Sequence, residues 1–293
     1  MKLVKRSLVK RSLVLVVLVV FVGGAAGCIT SVNQMQTARP LPPKEVRIEA
    51  GSSVPIATRY VSEIVDTLDL IADRLSDAEN AGEPLTEAEQ RQAVEGVAAV
   101  LLLQPSFVPE LALRVGVYEN IDVGLRWAGP TFRFDGKWQV AQETDRWHLA
   151  VNAAYVHHTG IGSSIATSAF DFFESIKLVS FSRRDLELSL LASTDEKRTI
   201  SYYGGLRYIL SMPRIESEVI DTIEVASGEP LLATDTNMHH IGATAGIRLG
   251  WRGLSLLAEL TLMYMSFSPE ILGEKSDLGG LLISPGIGVA LEI

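Results

Sequence analysis

The sequence predicts an all-β fold: an antiparallel transmembrane β-barrel of about ten strands, with eight to twelve compatible with the pattern, preceded by a short two-helix segment. Three observations lead there. From about Phe107 apolar and polar residues alternate with period two almost to the last residue, as in strands that present one face to each of two environments. The alternating runs are about 9 to 12 residues long, enough to cross a bilayer at a tilt and longer than the five or six usual in soluble sandwiches. Aromatic side chains stand near the ends of those runs, as Tyr118, Trp127, Tyr155, Trp251 and Tyr264, where amphipathic rings favour a membrane–water interface.

Of the 293 residues 47% are hydrophobic, which argues against disorder and for a large buried or lipid-facing surface. The formal net charge is -9, and Lys2, Lys5, Arg6, Lys10 and Arg11 all fall in the first eleven residues, so the remainder sets 21 basic residues against 35 acidic ones. That balance argues against a nucleic-acid partner, which needs clustered Lys and Arg. The single cysteine, Cys28, cannot close an intramolecular disulfide.

Residues 1–27 read as a signal peptide. A basic start, MKLVKRSLVKRS, is followed by an aliphatic run from Leu13 to Val22 and then by small residues. The run is about half of the roughly 20 residues that a spanning helix needs. At its end AAGC, residues 25–28, resembles the lipobox of bacterial lipoproteins. The resemblance implies a diacylglyceryl group on the Cys28 sulfur, cleavage before Cys28 and acylation of the new amino terminus. Ile29 stands where that family's inner-membrane retention signal has an aspartate, which implies export to the outer membrane.

Residues 28–58 are polar, contain Pro40, Pro42, Pro43 and Pro55 and show no clear period, so they read as a tether. Residues 59–104 read as two amphipathic helices. Val61, Ile64, Val65, Leu68, Ile71, Ala72 and Leu75 form one stripe. After ENAGEP, Thr86 and Glu89 give a capping-box signature ahead of Val94, Val97, Ala98, Leu101 and Leu102.

The barrel occupies 107–293. Its first strands set Leu111, Leu113, Val115 and Val117 against Arg114 and Gly116, then Val123, Leu125 and Trp127 against Asp122, Gly124 and Arg126. TFRFDGKWQV sets Phe132, Phe134, Trp138 and Val140 against Arg133, Asp135, Lys137 and Gln139, and Trp147 to Tyr155 alternates with His148 and Asn152. The count of ten takes 175–181 as a strand paired with 185–191 through a turn at SRRD. Runs at 202–210, 241–251, from Leu254, and through LLISPGIGVALEI complete it. An even count places both barrel ends in the periplasm, with the lipid in the inner leaflet, the helical pair periplasmic or plugging the lumen, and 158–173 in the periplasm. Met212–His239 and FSPEILGEKSD then face outside.

Arg114, Arg126, Arg133, Asp135, Lys137, Arg207, Arg248 and Glu259 are the candidate lumen-facing residues, expected to fill a narrow interior as ion pairs with water. Neither a metal-ligand spacing nor a phosphate-cradling glycine loop is present, and no cofactor is expected beyond the lipid on Cys28. The histidines fall as His148 and the pairs His157–His158 and His239–His240; adjacent strand residues face opposite sides, so each pair should split. The pattern over about 185 residues resembles the broad class of Gram-negative outer-membrane β-barrel lipoproteins, which usually end on an aromatic residue where this chain has Ile293. The resemblance implies outer-membrane lipid, the lipoprotein sorting and barrel assembly machineries, and an envelope protein met through the 60–103 helices as partners. The function read from this is an envelope structural or small-solute passage role, with enzymatic activity left open by the sequence. The alternatives are a soluble lipoprotein β-sandwich acting as a binding module, and a barrel hydrolase acting on lipid through His157 or His158 with Ser163 or Ser164.

Overall fold

Alternation at period two translates directly into an inside and an outside. In the strand over Thr131–Glu143, Arg133, Asp135 and Lys137 are buried while Phe132, Phe134 and Trp138 are exposed. The computed structural model describes residues 31–59, 65, 107–143, 146–158, 178–195, 199–217, 232–233, 236–251, 253–268, 270–271 and 274–293. The predicted signal peptide, Cys28 and nearly all of the predicted helical pair lie outside them.

Ten strands form a closed antiparallel barrel: β1 (Val46–Ser53), β2 (Val108–Tyr118), β3 (Ile121–Ala128), β4 (Thr131–Glu143), β5 (Trp147–His158), β6 (Leu178–Thr194), β7 (Ile200–Ser217), β8 (Met238–Trp251), β9 (Leu254–Ser266) and β10 (Gly280–Glu292). Each pairs with the next. β1 closes the ring, with Ile48 opposite Leu113 of β2 on one side and Leu291 of β10 on the other. Closure leaves no unpaired sheet edge, which a hydrocarbon environment requires.

Two sequence expectations are corrected here. The tenth strand is not 175–181: SRRD is no turn, because β6 runs unbroken from Leu178 to Thr194 against β7. Its charges fit a strand, since Arg183 and Asp185 are buried in step with Glu187 and Ser189. The tenth strand is β1, within the stretch read as a tether. VRIEA alternates as the other strands do, with Arg47 and Glu49 buried and Ile48 exposed, but the run is short and follows three prolines.

The closure also reassigns the sides. One rim carries the short links 119–120, 144–146, 195–199 and 252–253, together with Val46 and Ile293, which exchange backbone hydrogen bonds of 3.0 and 2.9 Å. The links 54–107, 159–177, 218–237 and 267–279 all leave from the other rim, where β3 and β4 alone are joined tightly. The link after His158 therefore leaves from the same rim as the two expected outside, and so does the link whose sequence predicts the helices. On that rim, residues 270–271 pair with 274–275 and with 232–233, joining two of the long links.

The outer surface is apolar. Leu188, Leu206, Ile241 and Phe134 are 53–65% exposed, part of a continuous belt far beyond the few hundred Å² of apolar patch usual on a soluble monomer. Exposed aromatics border it on both sides: Tyr118, Trp138, Trp147, Tyr202 and Trp251 toward the short-turn rim, Trp127, Phe132, Tyr155, Tyr208 and Tyr264 toward the long-link rim. A closed ring with its apolar parity outward is not two packed sheets, which disposes of the soluble sandwich. Phe134→Arg, on this belt, is expected to destabilise the membrane-inserted barrel by about 2–4 kcal/mol, read as a lower urea midpoint in lipid vesicles.

Candidate functional site

The lumen is where the polar chemistry collects. Its wall is built from the inward parity of all ten strands, and a segment of the chain itself runs through it. Val32 to Ala38 are all buried, as are Pro40 and Leu41. This segment, 31–42, is hereafter the strap. Ser31 sits at the long-link end, where its hydroxyl hydrogen-bonds Glu110 and lies 3.0 Å from the Ser53 hydroxyl at the end of β1. The strap then descends to the short-turn end. There Lys44 N–H donates to the Gly116 carbonyl at 2.9 Å and Gly116 N–H donates to that of Glu45 at 3.0 Å, and the chain reverses into β1.

A strand in a sheet satisfies its backbone through other backbones. The strap instead uses side chains of the wall. Met35 lies in the left-handed region at φ 46°, and the N–H groups of Gln34 and Met35 both donate to Glu259, one to each oxygen, at 2.7 and 2.6 Å. Consecutive backbone donors arranged this way make an anion nest, here filled by a protein carboxylate. Ala38 N–H donates to Ser193 at 3.1 Å and Leu41 N–H to Asp122 at 3.1 Å. On the acceptor side, Arg126 donates to the carbonyls of Asn33 and Gln34, and Arg207 to that of Val32. Lys137 Nζ donates to those of Thr37 and Arg39, at 2.9 and 3.0 Å. Buried backbone groups left without such partners would cost about 1–3 kcal/mol each.

The bend needs space that only glycine leaves. A Cβ on Gly116 would overlap the carbonyls of Leu41 and Pro42, whereas one on Gly136, on the outer face, would meet nothing within 4 Å. Gly116→Val is therefore expected to lower stability by about 1–3 kcal/mol through overpacking, with Gly136→Val near neutral. The temperature at which each folded band converts to the unfolded one on gels measures the difference.

The remaining wall charges pair with one another. Arg114 bridges Asp122 and Asp135, and Lys137 Nζ lies 3.2 Å from Asp122. Arg126 meets Glu110 at 2.9 Å and Glu49 at 3.3 Å. Glu187 receives Arg133 at 2.9 Å and Arg207 at 2.7 Å. Glu292 receives Arg47 at 2.6 Å and Arg248 at 3.2 Å at the short-turn rim. Among the described residues eight basic side chains are buried (Arg47, Arg114, Arg126, Arg133, Lys137, Arg183, Arg207, Arg248). Eight acidic ones match them (Glu49, Glu110, Asp122, Asp135, Asp185, Glu187, Asp195, Glu259). The balance leaves no net charge of one sign to draw ions of the other, as the charged ring of a selective channel would.

All eight sequence candidates are thus buried on the inner wall. Four of them, Arg126, Lys137, Arg207 and Glu259, hold the strap; Arg114, Arg133, Asp135 and Arg248 bind other wall residues. Sequence reasoning missed the strap and several partners on the wall. Asp122 and Glu187 share the parity of the residues it picked and were legible. Arg47 and Glu49 were hidden in the apparent tether.

The histidine pairs split across the wall, His157 and His239 exposed, His158 and His240 buried. His239 Nδ1 lies 2.7 Å from the Tyr208 hydroxyl, and His148 Nδ1 lies 3.1 Å from Gln139. Ser163 and Ser164 lie outside the described residues. Among the described residues no cluster of three or more His, Cys, Asp or Glu is placed to hold a metal ion. An open recess of about 450 Å³ at the short-turn rim is lined by the strap residues Arg39, Pro40 and Pro42 together with Pro43, Glu119, Asn120, Gln139 and Gln142.

No family model matches the chain, and no curated protein matches it. Among solved structures it is similar to Neisserial surface protein A at 9% identity and a TM-score of 0.33, over 84% of this chain and 95% of that one. It is similar to the outer membrane protease OmpT from Escherichia coli at 9% and 0.36, over 89% and 100%. The translocator domain of the autotransporter NalP from Neisseria meningitidis gives 8% and 0.37, over 86% and 88%. Likenesses this distant assign no activity, and the chemistry of this chain is read from its own residues.

Proposed function

We propose that the protein is a lipid-anchored outer-membrane barrel with a structural role in the cell envelope, its lumen closed by its own strap rather than kept open for solutes. The observation that carries this reading is the burial of Val32 to Ala38 inside the ring, with their backbone bonded to wall side chains from five different strands. A passage route would have to displace a segment that satisfies Glu259, Lys137 and Arg126 in a low-dielectric interior. Lipidation at Cys28 is supported by the lipobox-like AAGC, and the outer membrane by the aromatic-bordered belt together with Ile29 after the cysteine. The lipoprotein sorting and barrel assembly machineries are the partners this reading requires.

Two measurements test it. The purified protein in a planar bilayer is expected to give no stepwise current; a stable open conductance would overturn the closed-lumen reading. Cells fed radiolabelled palmitate are expected to label the protein, with the label lost in Cys28→Ser. An unlabelled protein would remove the anchor.

A further inference from the structure

We infer that the strap carries the amino-terminal anchor through the barrel, so that the lipid sits at the long-link rim, on the cell surface, opposite the carboxyl terminus. The inference rests on the proposed acylation of Cys28. Its new content is the side. Ten strands by themselves would return both ends to one face. The strap adds an eleventh crossing: Ser31 is level with Ser53 at one rim, while Val46 and Ile293 are hydrogen-bonded to each other at the other.

Chain length decides whether the lipid can return to the short-turn side. β1, which spans the same height as the strap, is eight residues long, roughly 26 Å along the strand, or roughly 19 Å of membrane depth at a tilt of about 45°. The three residues from Cys28 to Ser31 reach at most about 11 Å. An acyl group on Cys28 is therefore confined to the half of the membrane nearest the long links. Outer-membrane barrels keep short turns in the periplasm and long links outside; by that rule the half in question is the outer leaflet. The link 54–107 leaves from that same rim. Electrostatics supports the route, since the wall bonds the strap's backbone at five of its residues from Val32 to Thr37.

The test uses the full-length protein in cells. One version carries an epitope between Thr30 and Ser31, another an epitope after Ile293, and a third is Pro43→Cys, a thiol at the exposed bend on the short-turn rim. In intact cells antibody is expected to bind the first epitope and not the second, and membrane-impermeant maleimide is expected to leave Pro43→Cys unlabelled. After permeabilisation all three should react. An amino-terminal epitope seen only after permeabilisation, or Pro43→Cys labelled in intact cells, overturns the inference. Heat-modifiability and palmitate labelling of the same versions separate the outcomes. A folded, labelled protein with the wrong sidedness refutes the threading alone, whereas an unlabelled or unfolded one refutes the underlying reading.

Discussion

Deletion of residues 31–42 is expected to turn a silent barrel into a conducting one. The segment buries every residue from Val32 to Ala38 inside the ring. Its loss leaves Arg126, Lys137, Arg207, Asp122 and Glu259 lining free space, with water to replace the strap's carbonyls and N–H groups. Because water can solvate those charges, the ten-strand ring should survive: each exchanged hydrogen bond is worth about 0.5–1.5 kcal/mol net, and closure through β1 and β10 is untouched. The result expected is discrete current steps from the deletion variant under conditions where the intact protein gives none, with a lower temperature of conversion to the unfolded band. A deletion variant as silent as the intact protein would mean that the wall side chains close the lumen unaided.

Glu259→Ala is expected to be the most damaging single substitution in the wall. Glu259 is 5% exposed and accepts the consecutive N–H groups of Gln34 and Met35, with Thr261 adding a hydroxyl donor at 3.1 Å. Removing the carboxylate leaves two buried donors unpaired and tips the eight-to-eight interior to an excess positive charge beside Arg126. Breaking a buried charged interaction from one side costs about 3–5 kcal/mol. Glu259→Gln keeps one acceptor oxygen and should cost less. The ordering wild type, Gln, Ala in urea midpoint of vesicle-inserted protein checks the nest. Equal midpoints for Gln and Ala would show that only the charge matters, and an unchanged Ala variant would remove the nest as a stabilising feature.

Legibility in the sequence followed the range of the interaction. Which residues face lipid and which face the lumen is a local property: Phe134 beside Asp135, or Leu188 beside Glu187, alternate because a strand turns successive side chains to opposite sides. That is enough to place the eight wall candidates. SRRD misled because a charge run usually marks a turn, whereas a polar lumen accepts charge at every second strand position. VRIEA misled in the opposite sense, a strand too short to stand out after three prolines.

The amino-acid sequence by itself determined the strands, their parity, the outward apolar belt and the inward charges, because all of these depend on neighbours one or two residues apart. Only the tertiary structure decided that β1 closes the ring, that the long links share one rim, and that 31–42 lies in the lumen. The strap has no period of its own. Its partners are Glu259, Ser189, Lys137 and Arg126, between 92 and 225 residues away in the chain, and it becomes an element only when ten strands have closed around it.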